Sequence, residues 1–192
     1  MIAYDLEGEL LASVSDDHTC KLWTIKEDYK CILSFLLTSS GISVCWHTEE
    51  PGKLLVAEIN GLIQMYNVRS QQAIMSISAD TFPLYSADWS MNPLKAVCIA
   101  GGDLILWDVS RPSRPIKIQN VYTEGGKIIK FSPINENVIA TVGRPDNILK
   151  IVNLKFKQTI ICGRTTLFNG ITWHQRLPIG NFYSGKFLIN KI

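Results

Sequence analysis

The sequence predicts an all-β fold built from repeated four-stranded antiparallel sheets. Two series of aromatic residues recur with one shared period, and each period holds short apolar runs separated by turn-forming residues. No long stretch shows the 3.6-residue periodicity of an amphipathic helix. The first series ends a short alternating run each time: Tyr4 in IAYD, Trp46 in SVCWH, Trp89 in SADWS, Phe131 in IIKFS and Trp173 in GITWH, at spacings of 42, 43, 42 and 42. The second comprises Trp23 in KLWTI, Tyr66 in QMYNV, Trp107 in LILWDV and Val152 in LKIVNL, at spacings of 43, 41 and 45. Two interleaved series with one period are the mark of a structural repeat.

Each repeat has the same contents in the same order. The run ending in the first aromatic gives one strand, and a turn with Pro, Gly or Asn follows (PGK, NPL, PINEN). A small-residue apolar run is the second strand: LLASVS, LLVAE, KAVCIA, NVIATVG. A tight polar turn (DDHT, INGL, GGD, RPDN) leads into the second aromatic run, the third strand. CILSFLL, QQAIMSIS, RPIKIQ and FKQTIIC supply a fourth. β-branched and aromatic residues bounded by turn formers favour strands. Units of about 42 residues match the blade of a β-propeller. The expected blades are residues 1–40, 41–82, 83–124, 125–167 and 168–192 of one partial propeller.

SDDHTCKLW (15–23), preceded by Ser13-Val14, resembles the strand-turn-strand signature of the WD-repeat (WD40) family, with Asp17, Thr19, Cys20, Lys21, Leu22 and Trp23 in its places. Trp107-Asp108 is the WD dipeptide itself. The resemblance implies structural roles in the blade turns for Ser13, Asp17, Thr19, Trp23, Trp107, Asp108 and Asp146. In the family a turn Asp bonds a His of the preceding connection, that His bonds the Ser or Thr of the second strand, and the hydroxyl bonds the Trp indole. Asp17, Ser13 and Trp23 fill three of these roles. No repeat has the Gly-His pair that supplies the fourth, so the repeats are degenerate and held mainly by packing.

The chain has five units but four outer strands, and it starts on an inner one. Seven blades are usual in the family. The expectation is therefore an open arc, the C-terminal part of a longer, N-terminally extended propeller.

Further stretches carry a narrower resemblance: GISVCWHTEE (41–50), KLLVAEINGLIQMYNV (53–68), PLYSADW (83–89), LILWDVSRPSRP (104–115) and GITWHQRLPIG (170–180) are similar, collinearly, to the small WD-repeat nucleoporins of the Y-shaped outer-ring complex. That resemblance implies a non-enzymatic scaffold subunit in the nucleus, at the nuclear envelope and nuclear pore complex. It would bind a large arm nucleoporin and other Y-complex subunits, and act in pore assembly, transport of protein and mRNA, and at the kinetochore in mitosis. The alternative is another WD-repeat interaction module, such as a histone reader or a ubiquitin-ligase substrate receptor.

Composition is compatible with this reading. Hydrophobic residues make up 46% and charged residues 19%, below the roughly 25% usual in soluble domains. A net charge of +2 is too small to argue for nucleic acid. The five cysteines, at 20, 31, 45, 98 and 162, lie in apolar runs without CxxC spacing and read as reduced, buried thiols, not as a zinc site or disulfide scaffold. The expectation is no metal, no cofactor, no small-molecule substrate and no membrane insertion. Asp16, Asp17 and His18 read as a hairpin tip whose adjacent side chains diverge, and Cys20 as an apolar strand position. Arg111, Arg114 and Lys117 read as a solvated loop stiffened by Pro112 and Pro115. No helix follows GGD (101–103), so it is not a phosphate cradle. His47 and His174 follow an aromatic at one repeat position and read as strand-end structural residues.

Overall fold

The structure is a computed structural model that describes residues 1–90, 95–145, 147–164, 170–173, 180–184 and 187–188. Asp146 and His174 lie outside the described residues. Among the described residues there is no helix. Four sheets are four-stranded meanders, and every strand pair in them is antiparallel. The first holds β1 (Ile2–Tyr4), β2 (Leu10–Val14), β3 (Thr19–Thr24) and β4 (Lys30–Leu36). The second holds β5 (Gly41–Trp46), β6 (Lys53–Glu58), β7 (Leu62–Asn67) and β8 (Gln72–Ser78). In the third are β9 (Leu84–Trp89), β10 (Lys95–Ala100), β11 (Asp103–Asp108) and β12 (Ile116–Ile118). In the fourth are β13 (Gly126–Phe131), β14 (Val138–Gly143), β15 (Ile148–Asn153) and β16 (Gln158–Arg164). A three-stranded sheet of β17 (Gly170–Trp173), β18 (Gly180–Ser184) and β19 (Phe187–Leu188) follows.

The core lies between sheets. Val14, Cys20, Leu22 and Phe35 of the first sheet pack on Trp46, Leu54, Val56 and Tyr66 of the second. Leu55, Ile63 and Met65 pack in turn on Trp89, Ala96, Cys98 and Trp107 of the third. The third meets the fourth through Val97, Ile99, Leu104 and Leu106 against Ile129, Phe131, Ile139 and Val152. Ala140, Val142, Leu149 and Ile151 then meet Ile171 and Trp173. A sheet sandwiched between two neighbours has both faces apolar, which is why its second strand reads as a continuous run instead of an alternation. KLLVAE and KAVCIA are such strands, buried from their second residue onward.

The first sheet differs. On β2, Ala12 and Val14 are buried while Leu11 and Ser13 are half-buried, so only the face toward the second sheet is covered. Trp23 is half-buried, whereas its repeat equivalents Tyr66, Trp107 and Val152 are 6%, 1% and 3% exposed. The same sequence position is core in three blades and a wall in the first. The arc is open.

The outer edges carry a second regularity. In β4, β8 and β16 the register against the inner neighbour slips by one residue, at Leu22/Trp23, Met65/Tyr66 and Ile151/Val152. The residue left over is Ile32, Ile74 or Ile160, and each is exposed. A bulge twists an unpaired edge and disfavours edge-to-edge pairing.

Candidate functional site

The hairpin between β2 and β3 is built from short-range bonds. Thr19 donates from both its backbone N (3.0 Å) and its Oγ1 (2.7 Å) to Asp17 Oδ1. These donors hold the Asp17 carboxyl below its usual pKa, with Lys21 Nζ 3.7 Å away adding to the effect. Trp23 Nε1 donates to Ser13 Oγ at 2.9 Å, across the β2–β3 pair. His18 sits at the tip with φ 60°. Gly61 and Asn147, at the same repeat position, have φ 93° and 48°. In these three hairpins the position takes left-handed backbone, which suits Gly and Asn and assigns His18 to the turn; in the third blade the left-handed residue is Gly101, one place earlier.

Trp107 and Asp108 are split by the pleat. Trp107 is buried between the second and third sheets. Asp108 is exposed and accepts from Ser110 N (2.9 Å) and Ser110 Oγ (2.5 Å), so it shapes the β11–β12 turn and lies away from the β10–β11 hairpin. The thiols are less uniform than the sequence suggests: Cys20, Cys45 and Cys98 are buried, but Cys31 is exposed on β4. It lies on the outermost strand of its sheet, where an apolar run is not evidence of burial.

Where the Gly-His pair is missing, other groups tie the connection between blades to the next hairpin. Glu58, at the end of β6, is fully buried. Its Oε2 accepts from Thr38 Oγ1 (2.7 Å), Ser39 N (2.6 Å) and Ser39 Oγ (3.2 Å), all in the β4–β5 connection. Asn60 Nδ2 in the turn donates to Thr38 Oγ1 at 3.0 Å. Removing the carboxylate strands the two donors of half-buried Ser39 and releases exposed Thr38 to water, at a cost of about 1–3 kcal/mol for an unsatisfied group. Glu58→Ala is expected to destabilise the chain by about 2 kcal/mol and Glu58→Gln by less, read from urea unfolding.

Tyr122 does the corresponding work before the fourth sheet. It is 4% exposed, and its hydroxyl lies 2.8 Å from Thr141 O and 3.1 Å from Ile148 O. Lys150 Nζ sits 4.8 Å from the ring centroid and bonds the neighbouring Val121 O. Sequence reasoning looked for one residue type at one place and so missed both devices. Their signals were an acidic residue closing the apolar run LLVAE and a Tyr in the VYTEGG connection.

The inner strands meet around a cavity of about 500 Å³, lined by residues 1–6 and the ends of β5, β9 and β13. Indole N–H groups stitch blade to blade here. Trp46 Nε1 donates to Ala3 O (3.0 Å), Trp89 Nε1 to Trp46 O (3.0 Å) and Trp173 Nε1 to Lys130 O (3.3 Å), each spanning 43 residues. The Phe131 side chain has no N–H to give. At that junction Asp88 substitutes, its Oδ2 accepting from Phe131 N (2.9 Å) and its Oδ1 meeting Lys130 Nζ (3.3 Å). Burial opposes the Lys130 charge most strongly, but Asp88 and Cys45 together outweigh it and raise the ammonium pKa.

His47 borders the same cavity and is 4% exposed. Its Nδ1 accepts from the backbone N–H groups of Glu49 (3.1 Å) and Glu50 (2.9 Å), which fixes the proton on Nε2. The ring stands edge-to-face with Trp89, centroids 4.8 Å apart. Burial lowers the His47 pKa; Glu50 and Glu49 oppose this and Lys53 adds to it. The unfolded chain therefore takes up this proton near pH 6.5 and the folded chain only below that. Where the unfolded state binds more protons, stability rises with pH. The His47 contribution is full above about pH 6.5 and is lost as pH falls through the depressed folded value. Melting is expected at a lower temperature at pH 5 than at pH 7. His47→Asn, which keeps an acceptor for the turn amides but cannot titrate, should flatten that dependence in a pH series of thermal melts.

No protein-family model matches the chain. It is 40% identical to nucleoporin Nup37 of Mus musculus over 183 residues, 93% of this chain and 56% of the relative. To nucleoporin Nup37 of Drosophila melanogaster it is 39% identical over 190 residues, 98% of this chain and 59% of the relative. The chain thus spans somewhat more than half the length of these relatives. Among solved structures, that of U3-55K superposes with a TM-score of 0.80 at 12% identity, covering 94% of this chain and 58% of the other. At that identity the likeness speaks for the fold. Together with WD40 neighbours it makes the all-β open arc a WD40-type β-propeller arrangement.

Proposed function

We propose that this chain, homologous to nucleoporin Nup37 along 93% of its length, is part of a non-enzymatic WD40 scaffold subunit of the nuclear pore outer ring. The observation that carries the reading is identity of about 40% sustained over 93% to 98% of the chain. The blades correspond to residues 1–40, 41–82, 83–124, 125–167 and 168–192. Within them Ser13, Asp17, Thr19, Trp23, Trp107 and Asp108 act as structural residues of the turns and junctions, with Asp146 assigned the same role from its place in the repeat.

The finer reading places the subunit on a large arm nucleoporin of the Y-complex. Its roles there are pore assembly and the transport of protein and mRNA, with kinetochore function in mitosis. Support comes from the homology and from the kind of chemistry the fold has invested in. Its buried polar groups go into blade-to-blade bonds: Glu58 to Thr38 and Ser39, Asp88 to Lys130 and Phe131. Cys20 is an inert thiol, its pKa pushed up to about 12 by burial. Among the described residues no group of three or more His, Cys, Asp or Glu is placed to hold a metal ion.

The test is localisation. The chain fused to a fluorescent protein in cells of its own organism should give a continuous nuclear rim in interphase. A diffuse signal from an intact, soluble fusion would count against the pore assignment.

A further inference from the structure

Charge is distributed unevenly along the chain. Residues 1–40 hold three Lys or Arg against seven Asp or Glu, whereas residues 125–167 hold seven against two. Two of those seven cations flank an aromatic at the tip of the β15–β16 hairpin, Lys155-Phe156-Lys157. All three residues are exposed, Phe156 to 63%. The β7–β8 hairpin is the repeat equivalent and folds by the same bonds. Asn67 Oδ1 accepts from Arg69 N (3.0 Å) and Ser70 N (3.3 Å); Asn153 Oδ1 accepts from Lys155 N (3.0 Å) and Phe156 N (3.2 Å). Gln71 and Lys157 then take left-handed backbone, with φ 57° and 54°. The turn is made as well with Ser70 and Gln71 as with Phe156 and Lys157. Neither the turn nor the core accounts for an aromatic there.

The tip is firmly rooted. Leu154 is 5% exposed and packs with Leu106 of the third sheet, and its N donates to Asn137 O at 2.8 Å. That bond joins the hairpin to the β13–β14 turn, where Ile134 is 47% exposed. Lys95 Nζ, at the start of β10, reaches Asn137 Oδ1 (3.1 Å), and Lys95 pairs with Asp108 at the end of β11. The β11–β12 connection, with exposed Arg111 and Arg114, therefore leaves the third sheet at the end next to this hairpin. Among the described residues no carboxylate lies within 4.0 Å of the charged nitrogens of Arg111, Arg114, Lys155 or Lys157. Two acids at this end are engaged: Glu136 meets Lys95 (3.4 Å), and Asp108 accepts from Ser110, with Arg111 adding to its lowered pKa.

We propose that this end of the third and fourth sheets binds an acidic amphipathic helix of a partner protein, its carboxylates on Arg111, Arg114, Lys155 and Lys157 and its apolar stripe on Phe156 and Ile134. Unpaired cations call for carboxylates, and the guanidinium fork holds one by two bonds. Phe156 and Ile134 call for an apolar stripe beside the acids, which a helix supplies at every third to fourth residue. Aliphatic Ile134 offers no stacking surface to a base, which favours protein over nucleic acid. The proposal stands on this surface and not on the nuclear pore assignment, and its test uses the purified chain.

The experiment follows the fluorescence anisotropy of a labelled helical peptide of about 18 residues, with leucines at i, i+3, i+4 and i+7 and glutamates beside them, titrated with the full chain. Two counterparts replace every Glu by Gln or every Leu by Ala. The parent peptide should bind with a Kd below about 100 μM, at least fivefold more tightly than either counterpart, and should weaken from about 50 to about 300 mM salt. Phe156→Ser with Lys157→Gln gives this hairpin the residues its β7–β8 equivalent already has. Tm should therefore move by less than about 2 °C while affinity falls at least fivefold. Arg111→Gln with Arg114→Gln should weaken binding too, and Lys30→Gln on the first sheet should leave it unchanged. Equal binding of the three peptides overturns the proposal, as does no binding up to about 1 mM. Binding undiminished in the folded Phe156→Ser, Lys157→Gln chain overturns it also. So does tighter binding of oligothymidine, or of phosphatidylcholine vesicles with about 30% phosphatidylserine, that the same variants abolish. The contrast among the three peptides on the unaltered chain decides the matter even if a variant fails to fold.

Discussion

Gly102→Ala should be among the most damaging single substitutions in this chain. A Cβ at Gly102 would lie 1.8 Å from the carbonyl oxygen of Tyr122 and 3.0 Å from its carbonyl carbon. These are backbone atoms, so no rotamer change relieves the clash. The contact exists because Tyr122 N donates to Gly102 O at 3.0 Å, tying the β12–β13 connection down onto the β10–β11 turn. Displacing it would also disturb the Tyr122 ring, whose hydroxyl reaches Thr141 O and Ile148 O. Overpacking typically costs 1–3 kcal/mol, and a rigid backbone obstacle puts this case at about 3 kcal/mol or more. At about 2–4 °C per kcal/mol for a chain of this size, Tm should fall by roughly 6–12 °C. Gly163→Ala is the matched control: an added Cβ meets nothing within 4 Å there, and Tm should move by less than about 2 °C.

Trp107→Ala should cost about 3–5 kcal/mol, the range for removing a buried aromatic side chain. Trp107 is 1% exposed and fills the junction between the second and third sheets with Met65, Trp89 and Cys98. Trp23→Ala provides the internal comparison. Trp23 has the same repeat position but one uncovered side, and its indole bonds Ser13 Oγ within its own sheet. Its loss should cost about 1–2 kcal/mol in hydrogen bonding and partial burial. Urea unfolding of the two variants measures both. Equal costs would contradict the conclusion that blade junctions, not individual hairpins, hold most of the stability.

The period, the four-strand order and the hairpin bonds were legible because they depend on near neighbours. Thr19 reaches Asp17 across two residues and Trp23 reaches Ser13 across ten. The junction chemistry was not, because its partners lie one blade apart and differ from blade to blade. Glu58 finds Thr38 across 20 residues, Tyr122 finds Ile148 across 26, and Trp89 finds Trp46 across 43. No repeat has the Gly-His pair of the turn network, and a carboxylate in one blade and a phenol in another stand in its place. What is common to them is the place they fill, and a sequence does not display a place. Phe131 shows the same logic at the hub: an aromatic without N–H holds the series' packing role, and Asp88 takes over the lost bond from the preceding blade. The exposure of Cys31 was illegible for a different reason, since an outer strand exposes residues that look like core in the alternation.

The account rests most heavily on the assignment of this arc to a pore scaffold. Affinity purification of the tagged chain from its own cells, with quantitative mass spectrometry of what is retained, tests it most directly. The account predicts recovery of outer-ring subunits, with a large arm nucleoporin the most enriched. A folded, soluble chain recovered without any nuclear pore subunit would contradict it.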